Sequence, residues 1–472
     1  MKYLSCLFLL AAMASGQPHG IEQTDFPASE FQDRRAKVFD VIGRNALAII
    51  PGASAIDSPP IFRQSNEFYY LTGVESANSY LLLDGRTRRT TVYLQHRNPA
   101  WERQVGPVVS AEDVAIVKER TGADDVHSVE MLARHLAPIQ IHHPAPALYV
   151  PFSPQEGASG SRDEMLREIA EAASDPWDGR SSRNGRLLTL LRERFPTFEL
   201  KDLSPLLDPI RLIKSPREIS LIRRASQIAG LALMEAMRST RPGVYEYQLD
   251  AVARYVFLLN GSTYTAYPAI IGGGTNAWFG HYHRNSSVLK DGDLVLMDYA
   301  PDYRYYVSDV TRHWPVNGKF TPDQRALCNF VFAYRQAFLK RIKPGVTPEQ
   351  VLAGAREEMA AYLKTLTFAR ESYRKGAEDA LDFAGHLQHP VGMTVHDVGN
   401  YRRKEFVPGL VFSVDPMVWI PEENLYVRME DVIVVTGTGI ENFTDFLPGK
   451  PDEIEKLMRE EGILQLRAPI KP

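Results

Sequence analysis

The sequence predicts an α/β domain followed by an α+β domain. The first half alternates helix-like and strand-like segments. The second opens with sharply capped helices and sets them against strand pairs rich in Val, Ile and Tyr. A length of 472 residues suits two or three domains. Hydrophobic residues make up 44% and charged residues 24%, which excludes a disordered chain, a coiled coil or a collagen. The formal net charge is −4. No global positive field exists to hold a phosphate backbone, so nucleic acid is not an expected partner.

Residues 1–16 read as an export signal. Lys2 precedes an apolar run from Leu4 to Ala14, well short of the ~20 residues of a membrane span, and Ala14-Ser15-Gly16 suits cleavage. The mature chain is therefore expected to be exported, periplasmic or secreted, and free of the membrane. Cleavage removes Cys6 and leaves Cys328, so no intrachain disulfide is expected. The first domain is placed at 24–205. A helix around 30–42 leads to a strand at 46–50, and further strands follow at 79–84 and 90–94. A charged helix covers about 111–120. Residues 153–162 and 174–186 are polar, Gly- and Ser-rich, and read as loops, as does His142-His143 with the Pro-Ala-Pro after it.

The second domain is placed at 206–472. Ser215-Pro216-Arg217-Glu218 is a capping box with Pro at the first helical position. Thr321-Pro322-Asp323-Gln324 and Thr347-Pro348-Glu349-Gln350 repeat the device. A fourth helix starts near Glu246 and stops at Asn260-Gly261. Cys328 falls in a helical pattern and reads as core. Gly272-Gly273-Gly274 lacks a following Lys-Ser or Lys-Thr and reads as a loop passing close to the site.

Acidic residues interrupt the strand pairs. In LVLMDYAPDYRYYVSDVTRHW, residues 294–314, two β-rich runs flank Pro301-Asp302-Tyr303-Arg304. A turn centred on Tyr303-Arg304 sets Asp298 directly opposite Asp309, and a slip of two residues leaves them diagonal. In LVFSVDPMVWIPEENLYVRMEDVIVV, residues 410–435, a turn centred on Glu422-Glu423 sets Asp415 opposite Glu430. Like charges facing each other in apolar surroundings are destabilising. Two such pairs ask for a shared cation, and carboxylates are hard oxygen ligands for Mn²⁺, Mg²⁺ or Co²⁺. One imidazole widens the choice to Zn²⁺ or Fe²⁺.

The chain has 12 His, and five lie in two short clusters. His281 and His283 precede Asp298. His386, His389 and His396 lie in GHLQHPVGMTVHDVG, residues 385–399. The second cluster, beside Pro and Gly and ahead of an acid hairpin, reads as the lining of a site. Motifs for other chemistries are missing from the sequence: there is no GxSxG elbow, Walker A loop, GxGxxG fingerprint or HExxH helix.

The series Asp298, Asp309, His389, Asp415, Glu430, with RMED around Glu430, resembles the five-ligand dinuclear signature of the pita-bread metallopeptidases. FRQSNEFYYLTG at 62–73 and IRLIKSPREISLIRRA at 210–225 are similar to the N-terminal domain and interdomain junction of aminopeptidase P and prolidase. The resemblance covers nearly the whole mature chain. It implies a creatinase-type N-terminal domain, a pita-bread catalytic domain and an Xaa-Pro aminopeptidase. It implies two divalent ions, manganese first and cobalt or zinc as alternatives. Asp309 and Glu430 would bridge them, Asp298 would chelate one, and His389 with Asp415 would hold the other. It further implies that His281 and His396 contact substrate and stabilise the oxyanion, with His386 beside them. Arg428, two residues before Glu430, would bind a ligand carboxylate. The partner is a peptide with proline in second position, and a homodimer or homotetramer follows by analogy.

Two positions depart from the pattern. Asp415 stands where the family has Glu, and Gly385 stands where HGxxH would place His, with His386 one place later. An Xaa-Pro dipeptidase shares the ligand set, a relative of creatine amidinohydrolase would lack it, and a catalytically impaired binding protein would keep the fold alone.

Overall fold

Buried apolar strands and amphipathic helices organise the chain into two units. The computed structural model describes residues 19–55, 62–142, 146–157 and 159–467; the expected export signal and Cys6 lie outside them. One unit runs to Pro151 and adds Arg186–Asp202, and the other comprises Phe152–Gly185 and Leu203–Pro472.

The first unit is α/β. Its sheet orders six strands as Asp125–Ser128, Arg89–Leu94, Tyr80–Asp84, Ala46–Pro51, Ala147–Val150 and Glu199–Asp202. The central strand Ala46–Pro51 is buried throughout, as a continuous ALAII run requires. It runs antiparallel to Tyr80–Asp84 and parallel to Ala147–Val150. The helix Ala28–Ile42 buries Phe31, Val38, Phe39 and Ile42, spaced along one face. FRQSNEFYYLTG supplies the wholly buried helix Asn66–Thr72. It ends on Gly73 at φ 68°, where a Cβ would collide with the Phe31 ring. His142 closes the helix Met131–His142 rather than opening a loop, and Pro138 inside that helix masked it in the sequence.

The second unit is α+β. All three expected capping boxes form, heading the helices Pro216–Ser239, Pro322–Leu339 and Pro348–Leu363. The fourth expected helix is Glu246–Leu259, and Cys328 is a buried free thiol. Three sheets bear on the site. Ile270–Gly273, Leu294–Asp298 and Thr311–Pro315 form one; Leu387–Pro390, Val411–Val414, Asp431–Val435 and Ile440–Asn442 form another; Met417–Ile420 and Leu425–Arg428 form a two-stranded ribbon. The triple glycine ends the first of these strands. A Cβ on Gly272 would meet the backbone of Ala277, so Gly272 lets the short 3₁₀ helix Gly274–Trp278 pack down.

Segment 152–185, placed with the first domain on sequence, packs with the second unit. Arg162 grips both carboxylate oxygens of Asp208 at 2.8 Å. Arg211 bonds Glu156 at 2.9 Å, and Ser159 Oγ donates to the Thr265 carbonyl at 2.7 Å. Between the two loops read from composition lies a helix, Arg162–Ser174, with its own capping box at Ser161. Among the described residues no helix is long and apolar enough to cross a membrane.

Candidate metal centre

The two acid hairpins differ in how their turns are built. In the second, Met417 pairs with Arg428 and Val414 with Asp431, which sets Asp415 opposite Glu430 as expected. The first is shifted. Asp298 pairs with Thr311 and Tyr303 with Tyr306, so the turn centres on Arg304-Tyr305 and Asp309 is diagonal to Asp298. Both central residues have positive φ, 52° and 72°, the twist a two-residue hairpin needs. The Asp302 carboxylate accepts the Tyr305 N–H at 2.9 Å and stabilises that turn. An antiparallel bridge between Thr311 and Glu430 joins the hairpins, and Thr311 Oγ1 donates to Glu430 Oε2 at 3.0 Å.

All five expected ligands line one cavity of about 490 Å³, together with His281, His396 and Arg428. Asp298, Asp309, Asp415 and Glu430 are buried. Asp309, His389 and Glu430 each bring one ligand atom within 4.8 Å of the others. The Tyr267 hydroxyl, which sequence reasoning missed, bridges Asp298 at 2.5 Å and Asp309 at 2.8 Å. Nothing in the local string YTAYPAI marks that tyrosine. Arg428 pairs with Asp298 and reaches Asp415 at 3.2 Å and Glu430 at 3.3 Å. Its guanidinium therefore engages three of the acids themselves.

One guanidinium against four buried carboxylates leaves an excess of negative charge. Burial, then the charges of Glu430 and Asp298, push Asp309 well above the usual carboxylate range. Burial, then Glu430, does the same to Asp415, and burial also raises Glu430. Asp415 Oδ1 is buried without a hydrogen-bond partner among the described residues. Burial holds the His389 imidazole well below its ordinary pKa, hence in the neutral form that ligates metals. An orphaned carboxylate oxygen and acids strained toward protonation fit a site for divalent cations.

The imidazoles divide. The His396 ring lies 4.2 Å from that of His389 and 6.3 Å from that of His281, so these three share the cavity. His386 does not join them. It is fully buried against Tyr334, Phe338 and Phe383, with Nε2 2.7 Å from the Ala380 carbonyl. Its expected contact with substrate is therefore corrected: the one-place shift from 385 turns it into the core behind the strand Leu387–Pro390. There its carbonyl accepts the Asp415 N–H at 2.8 Å. A Cβ on Gly385 would run into the Phe383 ring, which lines the cavity edge-on to Trp419. Phe383, Trp419, Met417 and Tyr426 make an apolar wall, and Asp163 and Glu164 an acidic one. The sequence singled out none of these six.

The profile of metallopeptidase family M24 matches residues 220–437, and that of the aminopeptidase P N-terminal domain matches residues 31–149. The Xaa-Pro aminopeptidase of Escherichia coli is 30% identical over 457 residues, covering 92% of this chain and 98% of that protein. A solved proline aminopeptidase P II from Yersinia pestis is 30% identical, with a TM-score of 0.73 over 92% of this chain and all of that one. Aminopeptidase P from E. coli, solved with the inhibitor Pro-Leu, is 27% identical, with a TM-score of 0.73 over 92% of this chain and 99% of that one.

Proposed function

The chain belongs to metallopeptidase family M24, and we propose that it is a metalloaminopeptidase that removes the N-terminal residue from peptides with proline in second position. The convergence of Asp298, Asp309, His389, Asp415 and Glu430 on one cavity carries this reading. The names of the relatives and the Pro-Leu inhibitor of one of them supply the substrate class.

Asp309, His389 and Glu430 would hold one divalent ion with Asp415, and Asp298, Asp309 and Glu430 the other. When bound, such a pair polarises the scissile carbonyl and lowers the pKa of the attacking water. Tyr267 fixes the orientation of Asp298 and Asp309 through its two hydrogen bonds. Arg428 tempers the repulsion among the acids. His281 stabilises charge developing on the carbonyl oxygen, and His396 contacts the bound peptide. Asp415 would also accept a proton from the attacking water and pass it to the proline nitrogen as it leaves.

Manganese is the proposed native metal, since four carboxylates and one imidazole suit it. Export follows from the apolar run Leu4–Ala14 behind Lys2, and the assembly is a homodimer or homotetramer. The test of function is a peptide series with metal analysis. Gly-Pro-Gly is cleaved and Gly-Ala-Gly is not; equal rates on the two refute the reading. Cleavage of Gly-Pro but not Gly-Pro-Gly assigns the dipeptidase activity instead.

A further inference from the structure

The helix Arg162–Ser174 and the turn before it belong to the second unit, line the cavity with Asp163 and Glu164, and hydrogen-bond to His396. The Ser161 hydroxyl oxygen accepts the His396 backbone N–H at 3.1 Å. Asp163 Oδ2 lies 3.3 Å from His396 Nδ1. Behind the histidine, Asp397 is buried between Arg211 at 2.7 Å and Lys214 at 2.9 Å. Arg211 also bonds Glu156, in the same 152–174 segment. Backbone and ring of His396 are thus held from the front by Ser161 and Asp163, and its neighbour is pinned from behind.

We propose that Asp163 is a positioning residue for the peptidase reaction, holding His396 in the tautomer whose Nδ1 carries the proton. An ionised carboxylate only accepts hydrogen bonds, so the pair attracts when Nδ1 is the donor. In the neutral ring that leaves Nε2 bare, presenting an acceptor to the cavity that Asp163 and His396 both line. The ligand recognised there is an N–H group of the substrate. Proline has none, so the nearest candidates are the free α-amino group and the amide of the third residue. Asp163 Oδ2 also meets the exposed Arg167 at 3.0 Å, which steadies the carboxylate from the solvent side. Asp163 Oδ1 is buried with no hydrogen-bond partner among the described residues, so the carboxylate is shared between His396 and Arg167 through Oδ2.

The role assigned to His396 rests on the proposed function; the pairing with Asp163 does not, and the experiment reads them separately. Protein with ¹⁵N-labelled histidine, zinc-loaded to keep it diamagnetic, reports the His396 tautomer in long-range ¹H–¹⁵N spectra, with His396→Gln as the assignment. The Nδ1–H form is expected in the wild type, retained in Asp163→Glu and lost or mixed in Asp163→Ala. On Gly-Pro-Gly, Asp163→Ala is expected to lower kcat about 10–100-fold, the range for a residue that orients a site ligand. KM and metal content stay near wild type, and Asp163→Glu restores most of the rate. Asp163→Asn, which keeps an acceptor oxygen but loses the charge, falls between. An unchanged tautomer in Asp163→Ala overturns the proposal whatever the kinetics. A changed tautomer with unchanged kcat overturns the positioning role. Should the wild type cleave no proline peptide, the function fails while the spectra still decide the pairing.

Discussion

Glu430 is the acid on which most of the site's contacts meet. It faces Asp415, takes the Thr311 hydroxyl and the Arg428 guanidinium, and lies with Asp309 and His389 inside 4.8 Å. Glu430→Gln keeps the shape and removes the charge. It is expected to lose at least one metal equivalent, measured by elemental analysis, and more than about 100-fold in kcat, equivalent to roughly 2.7 kcal/mol of transition-state stabilisation. Activity within about tenfold of wild type would show that Glu430 does not bridge. Asp415 poses the opposite question. Asp reaches about 1.5 Å less than Glu, one C–C bond, while metal–oxygen distances of about 2.0–2.2 Å allow little slack. Asp415→Glu is expected to tighten the ion that Asp415 would hold with His389 and to raise kcat, read from metal titrations and steady-state rates. A fall in both would mean that the strand has moved to suit Asp415. The four acids of the cavity were legible in the sequence because buried acids break a strand pattern, and His389 because it lies in a histidine cluster ahead of the second acid hairpin. Tyr267 and His386 were not, because a buried tyrosine or histidine looks the same whether it faces a cavity or a core.

Element by element, legibility followed the turn. The second hairpin was readable because Pro421 and Asn424 bracket a tight 3₁₀ turn, with Asn424 at φ 47° taking the left-handed position. The first was misread by one residue because its left-handed positions fall on Arg304 and Tyr305, which carry no turn signature. The helices headed by Ser215, Thr321 and Thr347, each with Pro at the first helical position, were readable at their starts, whereas the one capped by Ser161 was not. Helices holding Pro138 or Pro209 were not, since an internal proline argues against a helix that tertiary packing enforces. The strand after Glu430 is anchored by charge. Asp431 is buried between Arg312 at 2.7 Å and Arg335, with Thr444 as a third donor. The two guanidinium groups hold its carboxyl well below the usual range. Asp431→Asn would leave two cations buried together, at an expected cost of about 3–5 kcal/mol, measurable by chemical denaturation. A cost below about 1 kcal/mol would show that water or Asp445 takes over the pairing.

For the molecule as a whole, pH and metal are linked. Asp309, Asp415 and Glu430 have folded-state pKa values above their unfolded ones. In metal-free protein their contribution is fully present below the ordinary carboxylate pKa and is lost as pH rises through the raised values. Divalent cations bind the deprotonated forms and reverse the cost. The rise in Tm on adding Mn²⁺ is therefore expected to widen steadily from about pH 5 to about pH 8. A rise of equal size across that range would show that these acids are not the ligands.

The placement of segment 152–185 has a consequence for biosynthesis. The ribosome makes the chain in order, but one of this segment's partners comes very late. Ser161 waits for His396, 235 residues downstream. At about 5–20 residues per second the delay is roughly ten seconds to most of a minute. Meanwhile Arg186–Asp202, next off the ribosome, already completes the first unit's sheet. The nascent protein thus carries a tethered loop, anchored at both ends, with Ser161 and Asp163 still waiting for His396. That interval is when a protease or chaperone meets it, and it ends only when the strands bearing the last acids have been made.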